Sequence, residues 1–197
     1  SEIISSFCGE NNIILIEDCA HSFGATIDNK HAGTFGNAGV YSFYATKAVF
    51  AGEGGIVVTN DKALANYLNG YTIYDRFDQK MEIGVNIRLP EFQALMIYSV
   101  VKYYNHIIEN KREIAKKYIS ICDELKIDYI KQETINSKGN YYKFIIISKN
   151  KSVSKSYPYL KTKTSPVYDY VLGESDAIAE QHCCLPIWYA QDEEITN

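Results

Sequence analysis

The order of hydrophobic and polar positions predicts strands and helices that alternate through the first half of the chain. Residues 1–10 have apolar side chains at helical spacing, and Ile13–Ile16 is a short continuous apolar run. Such a run is typical of a strand buried on both faces of a parallel sheet. Residues 40–44 and 55–59 predict two more strands, and Asn60-Asp61 is expected to cap the helix that follows.

The second half begins with one long predicted helix. Pro90 suits the first turn of a helix, and the helical pattern continues to residue 125 with a bend near Asn110. Residues 141–148 predict a strand, and residues 175–183 predict a short helix. This arrangement predicts an α/β first half and a smaller α+β second part. The long helix carries one apolar stripe that we expect to be buried, formed by Phe92, Leu95, Met96, Ser99, Tyr103, Ile107, Ile114, Tyr118, Cys122 and Leu125.

Composition and charge restrict the possible classes of function. The 197 residues are 46% hydrophobic and 22% charged, which is the balance of a soluble globular chain. No run approaches the roughly 18 to 20 apolar residues that a membrane-spanning helix needs. The net charge is −4 and the basic residues are scattered, which argues against nucleic acid or an anionic membrane as a partner.

The cysteines, histidines and glycines indicate neither a metal site nor a common nucleotide motif. Five cysteines without a C-x-x-C pair, and no visible signal peptide, lead us to expect a cytoplasmic protein. Four isolated histidines form no H-x-x-x-H pair, so no zinc site is expected. The glycines form neither G-x-G-x-x-G after a strand nor a P-loop, and there is no G-x-S-x-G elbow.

Lys47 is the first candidate for chemistry. From His31 to Asn60 the charged residues are Lys47 and Glu53 alone, and apolar and aromatic residues flank the lysine. Burial disfavours an ammonium ion, and a neutral amine can attack a carbonyl group. A surface lysine at the end of a strand is the alternative that this segment leaves open.

Asp18 is the second candidate, because it follows a predicted buried strand. Open α/β sheets bind ligands at the carboxyl ends of their parallel strands, where this carboxylate is expected. It could protonate a pyridine nitrogen, hold a metal, pair with an arginine or cap a helix. By default, His21 is expected to be an ordinary loop histidine.

Several sequence blocks become informative when they are considered together. They are Ile16–Gly24, Gly33–Gly36, Ser42–Lys47, Gly52–Gly55, Gly84–Leu89 with Glu91–Ala94, and Cys184–Ile187 with Asp192–Ile195. In this order they resemble the PLP-dependent sugar aminotransferases of the DegT/DnrJ/EryC1/StrS family. The resemblance implies an α/β, aspartate-aminotransferase-like fold of type I. Residues 1–108 would then be an incomplete large PLP-binding domain, and residues 109–197 a small α+β C-terminal domain.

The resemblance assigns a role to each of five side chains around pyridoxal 5'-phosphate (PLP). Lys47 would form the Schiff base with the cofactor and move the proton between cofactor and substrate carbon. Asp18 would pair with the pyridine nitrogen, and His21 would contact the side of the ring that carries the 3-oxygen. Ser42 would donate to the cofactor phosphate. Asn86 would reach the phosphate bound by a neighbouring subunit, which implies a homodimer.

The resemblance also implies a reaction. Similar enzymes move the amine of L-glutamate to a nucleotide-linked keto-deoxysugar, for a surface polysaccharide, a lipopolysaccharide or a glycosylated metabolite. Related sugar dehydratases carry histidine in place of the lysine, so Lys47 favours amino transfer.

Three hypotheses follow, because the blocks cover about half the length of a family member. The chain could be part of a working aminotransferase, or a truncated non-catalytic remnant of the fold that binds no cofactor alone. It could also be a small α/β binding module in which Lys47 and Asp18 form an ordinary ion pair. A buried ion pair stabilises little once desolvation is counted, so the presence of both residues favours a cofactor.

Overall fold

The computed structural model of the protein describes residues 2–73, 84–147 and 182–188. The chain divides into two compact units, residues 1–104 and residues 105–197. Among the described residues, no helix combines the length and hydropathy that crossing a membrane requires.

The first unit is built around a small mixed sheet. Its helices are α1 (Glu2–Glu10), α2 (Lys62–Ile73) and α3 (Glu91–Val101). Its strands are β1 (Ile16–Asp18), β2 (Thr26–Ile27), β3 (Lys30–His31), β4 (Ala38–Ser42) and β5 (Gly55–Val58). In the sheet, β4 is central, with β1 parallel on one side and β5 antiparallel on the other. β2 and β3 form an antiparallel hairpin.

The register of the main sheet determines which side chains share a face. Asp18 of β1 lies beside Val40 of β4, and Ser42 lies two residues further along β4. Because side chains alternate along a strand, Asp18, Val40 and Ser42 lie on one face of the sheet. Glu17 and Tyr41 lie on the opposite face.

The first predicted strand is shorter and more exposed than the sequence indicates. β1 begins at Ile16, and the side chains of Ile13, Ile14 and Ile16 are 49%, 76% and 63% exposed. The prediction of burial on both faces is therefore wrong, although the parallel pairing is confirmed. The physical reason is that β1 is an edge strand, paired with β4 alone among the described residues.

The predicted cap of α2 is confirmed. Oδ1 of Asp61 accepts hydrogen bonds from the N–H groups of Ala63 at 2.8 Å and Leu64 at 3.2 Å. These N–H groups have no partner within the first turn of the helix, so the carboxylate satisfies two of them.

The single long helix predicted for the middle of the chain is two helices. α3 is followed by α4 (Tyr104–Leu125), with the interruption at residues 102–103. The interruption lies before Asn110, through which α4 is continuous. The N–H of Tyr103 donates to the carbonyl of Val100 at 3.0 Å, a bond over three residues that tightens the end of α3.

The predicted apolar stripe is buried in the middle of α4 but not in α3, and its last member, Leu125 at the end of α4, is 61% exposed. On α3, Phe92 and Leu95 are 73% and 61% exposed, and no described residue of this helix is buried. On α4, Ile114, Tyr118 and Cys122 are 6%, 6% and 2% exposed. The stripe prediction is wrong for α3, where a different set of side chains lines a cavity described below.

The second unit packs α4 against an antiparallel sheet. The sheet contains β6 (Asp128–Tyr129), β8 (Phe144–Ile147) and β9 (His182–Leu185), and the unit also contains the short strand β7 (Ser137–Lys138), which is not part of this sheet. β8 pairs antiparallel with β6 on one side and with β9 on the other. The core of this unit contains Ile114, Ala115, Tyr118, Cys122, Tyr141, Phe144, Ile146, Cys183 and Ile187.

Two elements predicted for this unit differ from the structure. The strand predicted over 141–148 begins at Phe144, and Ser148 lies outside the described residues. In the helix predicted over 175–183, residues 175–181 also lie outside the described part of the chain. Cys183 belongs to β9, because it pairs with Ile146 of the central strand.

Lys111 of α4 is a buried lysine. Its side chain is 4% exposed, and Nζ donates to the carbonyl of Ile187 at 2.7 Å. Burial lowers the pKa of Lys111 from its ordinary value of 10.5 to about 8. The hydroxyl of Tyr118 donates to the preceding carbonyl, that of Pro186, also at 2.7 Å. α4 therefore holds the chain directly after β9 at two successive carbonyls.

We expect Lys111 to make the protein more stable as the pH rises from 8 to 10.5. In this window the native state binds fewer protons than the unfolded state, because the folded pKa is the lower one. From pH 7 to pH 10 the contribution of Lys111 to the free energy of unfolding should rise by about 2 kcal/mol. Lys111→Met removes this contribution.

Urea unfolding of the parent protein and of Lys111→Met at both pH values gives the difference directly. Lys117→Met is the matched control, since Lys117 is an exposed lysine on the same helix. Equal pH dependence of Lys111→Met and the parent would contradict the prediction.

Candidate active site

Asp18 and Ser42 lie at the same edge of the main sheet. β1 ends at Asp18 and β4 ends at Ser42, and the two strands run parallel. The two side chains share one face of the sheet. Ligands of α/β sheets bind at this carboxyl edge. The tertiary structure therefore brings together two of the five predicted site residues.

Asp18 is held by its own turn. Its side chain is exposed, and Oδ1 accepts the N–H of Ala20 at 3.0 Å. The N–H of Cys19 donates to the carbonyl of Val40 at 2.8 Å, so strand pairing continues one residue past Asp18. Among the described residues, Asp18 forms no ion pair with Lys47, in contrast to the third hypothesis.

Lys47 lies in the loop that follows β4, residues 44–54, which we call the Lys47 loop. Phe43 closes the base of this loop. Its N–H donates to the carbonyl of Gly54 at 2.8 Å, and its carbonyl accepts the N–H of Ala51 at 2.9 Å. The side chain of Phe43 is 2% exposed, so the base of the loop is fixed in the core.

Lys47 is half-buried between an exposed turn and a buried anchor. Its N–H donates to the carbonyl of Tyr44 at 2.9 Å, which closes a turn. Ala48 and Val49, which follow it, are 3% and 0% exposed. Tyr44 and Phe50 are 46% and 48% exposed. Of the apolar and aromatic residues that flank Lys47 in the sequence, the two that directly follow it are buried, whereas Tyr44 and Phe50 are exposed.

Of the other three predicted site residues, Ser42 and His21 lie near the ends of β4 and β1, and Asn86 lies in the segment before α3. Ser42 is half-buried, and its Oγ accepts the N–H of Tyr44 at 3.3 Å. His21 is exposed in the turn three residues after β1. Asn86 is exposed in the segment before α3, where its Oδ1 accepts from Nε of Arg88 at 3.3 Å. The described residues of one chain do not join Asn86 to the carboxyl edge.

Glu17 is a residue of this region that the sequence analysis did not single out. Its Oε1 accepts the N–H groups of Phe35 at 2.6 Å and Gly36 at 2.7 Å, and its Oε2 accepts that of Gly33 at 2.8 Å. One carboxylate therefore holds the turn at residues 33–36 against β1. The signal in the sequence that could have identified Glu17 is an acidic residue in a predicted strand that is followed along the chain by a glycine-rich turn.

Glu17→Gln should lower the free energy of unfolding by about 1 to 3 kcal/mol. The amide presents a donor where the carboxylate accepted a hydrogen bond, so at least one of the three N–H groups loses its partner. Urea unfolding of the variant measures this loss. Glu10→Gln, at an exposed position of α1, is the matched control, and equal stability of the two variants would contradict the role of Glu17.

An apolar cavity of about 700 Å³ lies on the opposite face of the sheet. Its walls include Tyr41, Ile56 and Val58 of the sheet, and Ala94, Ile97 and Val101 of α3. Because Asp18 and Ser42 lie on the other face, the cavity is separate from the candidate site.

The whole described chain matches one known family. The model of the DegT/DnrJ/EryC1/StrS aminotransferase family matches residues 2–196. The protein belongs to this family. The resemblance seen in the sequence blocks is thereby confirmed, and the DegT-family chain can be compared with its relatives.

Of two curated relatives of the DegT-family chain, one is named a synthase and the other a transaminase. It is 34% identical over 122 residues to the GDP-perosamine synthase of Escherichia coli O157:H7, a match that covers 59% of the chain and 33% of that protein. It is 32% identical over 190 residues to the dTDP-3-amino-3,6-dideoxy-alpha-D-galactopyranose transaminase of Aneurinibacillus thermoaerophilus, covering 94% of the chain and 48% of that protein. The chain thus spans a third to a half of the length of these relatives.

The solved structures confirm the predicted fold class. A DegT/DnrJ/EryC1/StrS aminotransferase from Brucella abortus superposes on the DegT-family chain with a TM-score of 0.86 at 22% identity. The match covers 98% of the chain and 57% of that structure. The sheet of β1, β4 and β5 is accordingly part of an aminotransferase fold.

Proposed function

We propose that this DegT-family chain is part of a PLP-dependent aminotransferase that acts on a nucleotide-linked keto-deoxysugar. L-glutamate would supply the amine, and the amino sugar would enter a surface polysaccharide, a lipopolysaccharide or a glycosylated metabolite. The observation that carries the proposal is that Asp18 and Ser42 lie on one face of the sheet at its carboxyl edge. The Lys47 loop follows Ser42 in the chain. Relatives named as sugar-nucleotide transaminases support the substrate class.

The residues of this edge fit the chemistry of PLP. The cofactor offers a basic pyridine nitrogen, a phosphate and an aldehyde, and the edge offers a carboxylate, a hydroxyl group and an amine. Ser42 lies opposite Gly55 in the sheet, so no side chain stands beside it on that strand. When bound, PLP supplies an electron sink for the carbon that loses and regains a proton.

Each side chain has a defined task in the proposed site. Asp18 pairs with the pyridine nitrogen and favours its protonated form, because an adjacent anion stabilises a cation. Ser42 donates to the phosphate, and His21 contacts the 3-oxygen side of the ring. The amine of Lys47 holds the cofactor covalently between turnovers.

The net reaction exchanges an amine for a keto oxygen. L-glutamate loses its amino group and the hydrogen on its α-carbon and leaves as the 2-keto acid. The keto oxygen of the 2-keto acid comes from water. The keto carbon of the sugar gains an amino group and a hydrogen and releases its oxygen as water. Lys47 takes the proton from the first carbon and returns a proton to the second, so that atoms and charge balance over the two half-reactions.

The same proposal includes a homodimer and a two-domain organisation. Asn86 makes no hydrogen bond to the carboxyl edge within the described chain, which is consistent with a role toward the phosphate of a second subunit. Residues 1–108 would belong to the large domain and residues 109–197 to the small one. The division into compact units at residue 104 supports a boundary in this region. Five cysteines without a disulfide support a cytoplasmic location.

The test of this function has two stages. The complete protein is mixed with PLP, reduced with borohydride and digested, and the modified peptide is mapped. Keto-sugar nucleotides are then incubated with L-glutamate, and the aminated product is identified by mass. We expect a reduced adduct on Lys47 and glutamate-dependent amination. No adduct, or an adduct on another lysine, would contradict the proposal and support the alternative of a non-catalytic remnant.

A further inference from the structure

Gln93 connects α3 to the Lys47 loop. Its Nε2 donates to the carbonyl of Ala51, which lies 42 positions earlier in the chain. The N–H of Ala51 donates to Phe43 and so closes the base of the loop. Both polar backbone groups of Ala51 are therefore bonded, one to the end of β4 and one to α3. The side chain of Ala51 is 2% exposed and Gln93 is half-buried, so this junction is partly shielded from solvent.

Two glycines allow the end of the loop to lie directly on α3. Gly52 has φ +92, and a Cβ there would be 3.2 Å from Nε2 of Gln93. Gly54 has φ +126, and a Cβ there would be 2.9 Å from Cδ1 atoms of both Ile97 and Leu89. Larger residues would be strained by the backbone conformation and would push α3 away. The contact of Gln93 thus belongs to a closely fitted surface.

We propose that Gln93 is a positioning residue for Lys47. By fixing Ala51 on α3, it determines where the Lys47 loop places its amine relative to Asp18 and Ser42. This inference rests on the proposed function and deepens it. The reason for expecting an effect on chemistry is that rates of reaction fall steeply when a reacting group is displaced by about 1 Å.

The backbone is held differently on the two sides of Lys47. On one side, the turn at Tyr44 is exposed and gives little support. On the other side, Ala48 and Val49 are buried, and the chain then reaches Ala51. The part of the Lys47 loop that follows Val49 is held by the Gln93 bond and by the backbone bonds of Phe43 to Ala51 and Gly54. Without the Gln93 bond, the bonds to Phe43 would remain.

The first experiment measures the loop without cofactor. Gln93→Leu retains the approximate size of the side chain but has no donor. Gln93→Glu retains the shape and places a carboxylate against the Ala51 carbonyl. We expect the Ala51 N–H to exchange with solvent deuterium roughly tenfold faster in Gln93→Leu, as loss of one hydrogen bond predicts, and faster still in Gln93→Glu. Glu91→Gln, an exposed change on the same helix, is the matched control and should exchange as the parent does.

The second experiment separates positioning from a merely structural role. In the complete protein, PLP is added, and its rate of covalent attachment to Lys47 and its non-covalent affinity are measured separately. We expect the rate to fall about ten- to hundredfold in Gln93→Leu, while the affinity, which depends on Asp18 and Ser42, stays within about twofold. The pH midpoint of the absorbance of the bound cofactor should also shift, because the amine occupies a different environment.

The outcomes distinguish this inference from the proposed function. Attachment at the parental rate in both variants would overturn the role of Gln93 and leave the proposed function intact. Reduced stability with an unchanged attachment rate would also overturn it, since Gln93 would then be a packing residue only. No attachment in the parent protein would overturn both. Gln93→Asn, which keeps the donor on a shorter side chain, is used if the other variants fail to fold: faster exchange at Ala51 with a slower attachment rate supports the inference, and faster exchange with the parental attachment rate overturns it.

Discussion

Lys47→Ala is expected to abolish amino transfer in the complete protein, with a loss of at least about a thousandfold in turnover. A methyl group can neither attack the cofactor aldehyde nor carry a proton between two carbons. The fold should persist, because Ala48 and Val49 form the buried anchor of the Lys47 loop and the lysine is only half-buried.

The measurement is glutamate-dependent amination of a keto-sugar nucleotide, with circular dichroism and urea unfolding to confirm the fold. Lys62→Ala is the matched control, since Lys62 is an exposed lysine at the start of α2 in the same unit. Adding a small primary amine should restore part of the activity of Lys47→Ala, because it replaces the missing group. Full turnover in Lys47→Ala without added amine would exclude this residue as the catalytic lysine.

Asp18→Asn should lower kcat by about a hundred- to a thousandfold, the loss typical of removing one electrostatic group from an active site. Asparagine keeps an Oδ1 that can accept the N–H of Ala20, so the turn after β1 is retained. The variant removes only the negative charge, and with it the preference for a protonated pyridine nitrogen.

This charge effect has its own readout in the bound cofactor. The absorbance of PLP in Asp18→Asn should change with pH at a lower midpoint than in the parent, because the protonated ring has lost its anion. Asp28→Asn is the matched control: Asp28 is exposed between β2 and β3, and its φ of +49 is one that asparagine accepts readily. Unchanged kcat and an unchanged midpoint in Asp18→Asn would contradict the assigned role.

Features set by neighbouring residues could be predicted from the sequence. The cap at Asp61 depends on groups two and three residues away, and it is present as expected. The apolar run that precedes Glu17 predicted a strand of a parallel sheet, and β1 does pair in parallel with β4. Because such signals depend on a few neighbouring residues, they can be recognised from the sequence alone.

The errors occurred where burial depends on what packs against an element. The stripe on α3 has the spacing of a buried face, but its Phe92 and Leu95 are exposed, and other residues of the helix line the cavity. The run at Ile13–Ile16 has the composition of a central strand, but β1 is an edge strand in this chain. Hydrophobic spacing predicts that a face can be buried, and only the neighbouring elements decide whether it is.

By itself, the sequence determined the family, because its short blocks have an informative order along the chain. The same blocks supplied the candidate site residues Asp18, His21, Ser42, Lys47 and Asn86. Only the tertiary structure decided that Glu17 holds a turn 16 residues away and that Gln93 holds a loop 42 residues away. Side-chain bonds to distant backbone groups have no periodic signal in the sequence. They exist because the strand β1 and the helix α3 are brought beside these loops when the chain folds.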